Sequence, residues 1–138
     1  MGVCVIREVK AAQLYDIWGW VRHGLLHCME KVEGHYIPED VYVWLKAGQA
    51  WLHVLEYDHD EIGFTVLRTE QDCDGPVLFI FALWTEPGEG VKREQLIYRE
   101  LEEIARKIGA KRIRMQGRPG WERRGYFTKV SSIYEHEL

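Results

Sequence analysis

The sequence predicts a mixed α/β (α+β) fold in which a mostly antiparallel central sheet is flanked by helices. Two observations carry that prediction. Stretches with apolar residues three and four apart are interleaved with shorter runs that alternate or are continuously apolar, which are the periods of amphipathic helices and of strands. The strand-like runs in the middle of the chain follow one another across short polar turns, as antiparallel neighbours do. No repeat, low-complexity tract or linker interrupts this order, so residues 1–138 read as one domain with one core.

Taken in order, Val3 to Glu8 carries β-branched Val3, Val5 and Ile6 and predicts a first strand. From Ala11 to Val32, Leu14, Ile17, Trp18, Val21, Leu25, Cys28 and Met29 fall on one helical face, and Gly34 closes the helix. Pro38 suits a first helical turn, with Glu39 and Asp40 favourable near the positive end of the helix dipole, so a second helix runs to about Lys46 and stops at Gly48. Ala50 to Tyr57 and Glu61 to Glu70 form a hairpin around Asp58-His59-Asp60. A loop, Gln71 to Gly75, leads to Pro76 to Trp84, whose unbroken apolar run predicts a central strand covered on both faces. After Pro87-Gly88-Glu89-Gly90, the spacing of Leu96, Ile97, Leu101, Ile104, Ala105 and Ile108 predicts a long helix capped by Gly109. Lys111 to Met115 is a strand, Trp121 to Arg124 a single turn of helix, and Tyr126 to His136 a last strand.

Composition narrows the function. No run is long and apolar enough for a membrane span, and Arg7, Glu8 and Lys10 break up the N-terminal apolar stretch, so neither a span nor a secretion signal is expected. Cys4, Cys28 and Cys73 are odd in number and far apart, which fits packing residues better than a disulfide framework or a zinc site. The net charge of -4 hides an asymmetry: residues 1–90 carry 6 basic and 15 acidic side chains, residues 91–138 carry 12 and 7. The basic C-terminal segment, with Lys111, Arg112, Arg114, Arg118, Arg123 and Arg124, could attract nucleic-acid phosphates or carry ordinary solvated charge. Trp18, Trp20, Tyr42, Trp44 and Trp51 suggest an aromatic surface for a protein partner or self-association, or else the lining of a gap above the sheet.

The order of elements, with Leu83-Trp84-Thr85-Glu86-Pro87, Leu96 to Gly109 followed by Ala110-Lys111-Arg112-Ile113, and Arg124-Gly125-Tyr126, resembles the GNAT acetyltransferase superfamily over nearly the whole chain. The resemblance implies that the fourth and fifth strands splay, and that an acetyl-CoA pyrophosphate would rest on the backbone N–H groups of the following helix. It assigns such a cofactor Leu83, Trp84, Gly88, Gly90, Val91, Lys92 and Arg93, if acetyl-CoA binding is retained. Two departures stand out. The family loop pattern R/Q-x-x-G-x-G/A is replaced at its demanding positions by Gly88, Val91 and Arg93, which puts a large side chain where backbone must approach phosphate and leaves Lys92 or Arg93 to grip by charge. Trp121 occupies the position of the tyrosine acid, and neither Tyr126 nor Tyr134 replaces it. No catalytic residue is therefore assigned, although Glu56, Glu61 and Glu86 lie at strand ends where a base could sit.

Gln116 to Trp121 followed by Arg124-Gly125-Tyr126 is also similar to small GNAT-like proteins of tailed bacteriophages. That resemblance implies a non-catalytic protein without cofactor, located in the virion or host cytoplasm and acting in virion assembly or through protein contacts. The alternative is an acetyl-CoA-dependent N-acetyltransferase of unknown acceptor. His23 and His27 share a helical face and could meet, but with Cys28 on another face they read as a solvated or core-edge pair rather than a metal site. Asp58-His59-Asp60 is explained by turn chemistry.

Overall fold

A computed structural model describes residues 2–31, 36–117, 121–132 and 134–138. Five strands, β1 (Cys4–Val9), β2 (Trp51–Tyr57), β3 (Asp60–Asp72), β4 (Gly75–Thr85) and β5 (Ile113–Met115), form one sheet in that order. Neighbours are antiparallel except β4 and β5, which run parallel because helix α3 (Glu89–Lys107) crosses between them. Helices α1 (Leu14–Lys31) and α2 (Pro38–Lys46) connect β1 to β2.

Local chemistry sets these boundaries. Pro38 opens α2, and the Asp40 carboxylate accepts the Ile37 N–H at 3.0 Å, satisfying one of the donors that a helix start leaves free. Asp58 and His59 both adopt positive φ, 50° and 74°, which makes the two-residue turn whose twist suits a hairpin. The Asp58 carboxylate also accepts the Val3 N–H at 2.8 Å, so its turn ties β1 to the hairpin. The β3–β4 connection is tighter than the expected Gln71–Gly75 loop, because Asp72 pairs with Gly75 and leaves Cys73-Asp74 as the turn. Arginines from the β5 side hold it: Arg112 donates to Asp74 at 2.8 and 2.6 Å, and Arg114 donates to Asp72 at 2.9 Å. Two of the cations expected to form a phosphate-binding edge are thus already engaged by carboxylates.

The sheet is buried on both faces. Leu14, Val21 and Leu25 of α1 and Val41 and Leu45 of α2 pack on Leu52, Val54, Phe64, Val66 and Ala82. Ile97, Tyr98, Leu101 and Ala105 of α3 cover Cys4, Leu55, Leu67, Leu78 and Ile80 on the other side. The aromatic group is mostly half-buried: Trp18, Trp20, Tyr42 and Trp44 pack against the α1–α2 core, and of that group only Trp51 is exposed, at 41%. Their apolar rings find partial burial at the core edge. Among the described residues of Tyr126 to His136 the last expected strand is not formed, and Val32 and Gly34 of the expected first-helix end lie outside the described residues. Tyr126 instead stacks on Tyr98 of α3, with centroids 4.0 Å apart and planes 8° apart, and donates its hydroxyl to Glu102 at 2.7 Å. Those contacts hold the chain against the helix rather than beside β5.

Candidate functional site

A single extra residue in β4 opens the site. Val66 pairs with Ala82 and Leu67 with Ile80, so Phe81 is unmatched and makes a bulge. A bulge bends its strand and sharpens its twist. On the other side of β4, pairing with β5 ends at Ile80 and Met115, one residue before the bulge. Beyond that point the two segments are unpaired, and an open cleft of ≈ 610 Å³ lies between Phe81–Glu86 on one wall and Met115, Gln116 and Gly117 on the other.

Strand alternation says which backbone groups line it. The Ala82 carbonyl accepts the Thr65 hydroxyl at 2.9 Å and the Glu86 N–H donates to the Ile62 carbonyl at 2.7 Å, so both point at β3. Leu83 lies between them in the repeat and directs its N–H and carbonyl to the cleft, where the Cys28 thiol sits 3.7 Å from that carbonyl. Gly63 permits the close pairing here, since a Cβ on it would collide with the Trp84 carbonyl and Thr85.

The cleft runs to the start of α3, where Gly88, Gly90 and Val91 line it. Gly88 takes a left-handed conformation, φ 81° and ψ -18°, which glycine adopts without a side-chain penalty. A Cβ at Gly90 would lie 2.6 Å from Thr85 Oγ1, so this turn also closes only over glycine. First-turn N–H groups have no acceptor inside their helix and carry the positive end of its dipole. Backbone donors, a glycine cradle and a long cleft together suit an extended anionic ligand.

Of the residues expected to serve it, Leu83, Trp84, Gly88, Gly90 and Val91 line the cleft, whereas Lys92 and Arg93 do not. The Arg93 guanidinium lies 3.8 Å over the Tyr57 ring and 3.7 Å from Glu89, on the β2 side of the helix. Helical rotation thus directs the Arg93 side chain toward Tyr57 and Glu89.

The three strand-end carboxylates separate as well. Glu56 and Glu61 accept from Arg7 at 2.6 and 3.3 Å, outside the cleft, while Glu86 lines it and accepts the Trp20 indole N–H at 3.0 Å. His23 and His27 line the α1 side with ring centroids 4.7 Å apart, facing Trp84 at 5.7 and 6.4 Å. Cys28, expected on another face, joins the same wall, because α1 lies across the open side of β4 and presents a broad arc to it. Gly24 allows that approach: a Cβ there would strike the Phe64 and Trp84 rings. No group of three His, Cys, Asp or Glu suited to a metal exists among the described residues.

Sequence reasoning missed Tyr98 and Glu94, which line the α3 side. Tyr98 donates to Glu94 at 2.8 Å, and burial together with that carboxylate pushes its phenol far above the ordinary range. Glu94 also meets Arg124 at 3.5 Å. Their four-residue spacing on α3 was the available signal, but the cleft they face is made by strands far away in sequence.

No family model and no curated protein sequence matches the chain. Solved structures do. A possible acetyltransferase from Clostridium difficile 630 aligns with a TM-score of 0.67 at 14% identity, covering 99% of this chain and 98% of that one. A ribosomal-protein-alanine N-acetyltransferase from Brucella melitensis biovar Abortus 2308 gives 0.66 at 13% identity, with 99% of each chain covered. A predicted acetyltransferase from Clostridium acetobutylicum, solved with acetyl-CoA, gives 0.64 at 16% identity, covering 99% and 97%. Together with the sheet order and the parallel β4–β5 pair, these alignments show that the chain has the fold of the GNAT acetyltransferases.

Proposed function

We propose that the chain binds acetyl-CoA in the β4–β5 cleft and acts as an N-acetyltransferase. The observation that carries this reading is the Phe81 bulge one residue beyond the last β4–β5 pair, which opens the cleft onto the glycine-lined start of α3. Two of the structural neighbours support it: one was solved with acetyl-CoA, and another, an aminoglycoside N-acetyltransferase, with CoA.

When bound, acetyl-CoA would supply an acetyl group activated as a thioester. The protein's own contributions follow from its geometry. Gly88, Gly90 and Val91 offer helix-start N–H groups to the pyrophosphate. Leu83 offers its inward-facing backbone N–H to the acetyl carbonyl or the pantetheine amides. Glu86, held by Trp20, is a carboxylate on the cleft wall able to take a proton from an incoming amine, directly or through water.

A second reading is the non-catalytic one, a virion or protein-contact role. It draws on Trp121 standing where the family has its tyrosine acid, and on exposed apolar side chains near the C-terminus, Val130 and Tyr134. One titration separates the two. Calorimetry with acetyl-CoA is expected to show saturable micromolar binding with a matching rise in melting temperature, weakened at least about tenfold in Gly90→Leu and little changed in Lys92→Ala. Absence of heat and of thermal shift at millimolar ligand would favour the contact role.

A further inference from the structure

The sheet has an open edge beside the cleft, and the chain carries a segment whose pattern suits it. β5 pairs with β4 on one side and, among the described residues, with no strand on the other, so its outer N–H and C=O groups have no ladder partner. Gln116 and Gly117, which follow Met115, line the cleft, so a strand that extends this edge also borders the site.

The segment is the one that follows Tyr126. Its start is anchored: Tyr126 stacks on Tyr98 at 4.0 Å and donates to Glu102 at 2.7 Å, and Phe127 meets Tyr98 edge-on at 5.9 Å. Beyond that anchor Val130 and Tyr134 are 71% and 91% exposed, and both fall at even positions of a run whose odd positions carry Lys129, Ser131, Glu135 and Glu137, with Ile133 the apolar exception. That period of two is the period of a strand with one apolar face, and such a face gains by leaving water.

The faces match those of β5. Ile113 and Met115 pack on the α3 side of the sheet, while Arg112 and Arg114 turn to the other face and donate to Asp74 and Asp72. A strand laid beside β5 with Val130 and Tyr134 on the Ile113–Met115 face puts Lys129, Glu135 and Glu137 on the arginine face. Run antiparallel, it brings its acidic end toward the start of β5, where Lys111 and Arg112 lie. Apolar side chains then meet apolar ones, and opposite charges meet across the strands.

We propose that two copies of the chain exchange these segments, residues 128–136 of each adding antiparallel to β5 of the other. A second copy is favoured over the chain's own edge because Tyr126 and Phe127 hold the start of the segment on α3, from which Val130 and Tyr134 run into solvent and not onto β5. One two-fold exchange uses both segments and covers both edges, which closes the assembly at a dimer. The added strand lies along the outer side of Met115 and borders the cleft at Gln116. The inference does not depend on what the cleft binds.

Light scattering after size-exclusion chromatography of the full chain is expected to give twice the chain mass. Hydrogen exchange on the same sample is expected to find the backbone amides of residues 128–136 protected. Val130→Pro removes a ladder N–H, and Tyr134→Asp puts a charge on the apolar face. Both sites are exposed in the single chain, so each variant is expected to run at the single mass, lose that protection and keep its circular dichroism. A single mass for the parent overturns the proposal, and protected 128–136 amides in that monomer assign the segment to its own edge. A dimer whose 128–136 amides exchange freely, or one that persists in both variants, overturns it as well. The measurements on the parent can refute the exchange even where a variant fails to fold.

Discussion

The two halves of β4 behave as different structures. From Gly75 to Ile80 the strand is hydrogen-bonded to β3, paired at its end with β5, and buried on both faces by residues such as Val77, Leu78 and Ile80. From Phe81 to Thr85 it keeps β3 but loses β5, and its free side becomes the wall of the cleft. Both halves are apolar and adjacent in sequence. What separates them is where pairing stops, so the site exists because a ladder was left incomplete, and the backbone groups released there are available to a ligand.

That contrast can be broken from the packed side first. Phe64 is fully buried beside Trp84 and Trp20, supporting the open half from below. Phe64→Ala is expected to cost about 3–5 kcal/mol, measured by urea denaturation, and to remove the support of the cleft wall as well. A cost under about 1 kcal/mol would mean the open half stands without that ring. Next in size is the open end itself: Gly90→Leu is expected to weaken acetyl-CoA by at least about tenfold, roughly 1.4 kcal/mol, because its side chain enters the turn beside Thr85. Retained affinity there would show that the α3 turn is not where the cofactor's phosphates rest.

A smaller effect lies on β2, which pairs with the far side of β3. His53 of β2 is largely shielded, its Nδ1 has no hydrogen-bond partner, and burial lowers its pKa below the ordinary histidine value. A folded-state pKa below that of the unfolded chain means the unfolded chain binds more protons. Stability is therefore full above the unfolded value of about 6.5 and falls as pH drops below it, until the folded-state pKa is passed. His53→Leu is expected to flatten the stability profile between about pH 7 and 5, with little change at pH 8; an unaltered profile would place the acid sensitivity elsewhere. The least effect belongs to the β3–β4 tip. Arg112 holds the Asp74 carboxyl down to about 2, yet both groups are at the surface. Whatever that pair contributes is present above the unfolded carboxylate value near 4 and lost as pH falls through about 2, so Arg112→Ala should barely move the urea midpoint at pH 7.

Much of the fold was legible because short-range chemistry decides it. The helical spacing of Leu96 to Ile108, the Pro38 start, the Asp58-His59 turn and the continuous apolar run of β4 each act within a few residues, and each is found where its pattern predicts. The last strand failed for a physical reason: Tyr126 has the composition of a strand residue, but stacking on Tyr98 and bonding to Glu102 hold it on α3. The site was legible only in part. Gly88, Gly90 and Val91 were named through a family resemblance, whereas Glu94, Tyr98 and Cys28 were not placed in the cleft at all.

Residue types, helical period and turn chemistry in the sequence by themselves determined the order of elements, the faces they bury and the glycines that open α3. Only the tertiary structure decided three further things: that Phe81 is a bulge, that Arg93 turns toward Tyr57, and that Glu86 alone of the strand-end carboxylates faces the cleft. A bulge is a mismatch between two strands, and a side chain's direction depends on the surface its helix packs against. Neither property belongs to any one segment of chain, so both appear only once the strands and helices have met.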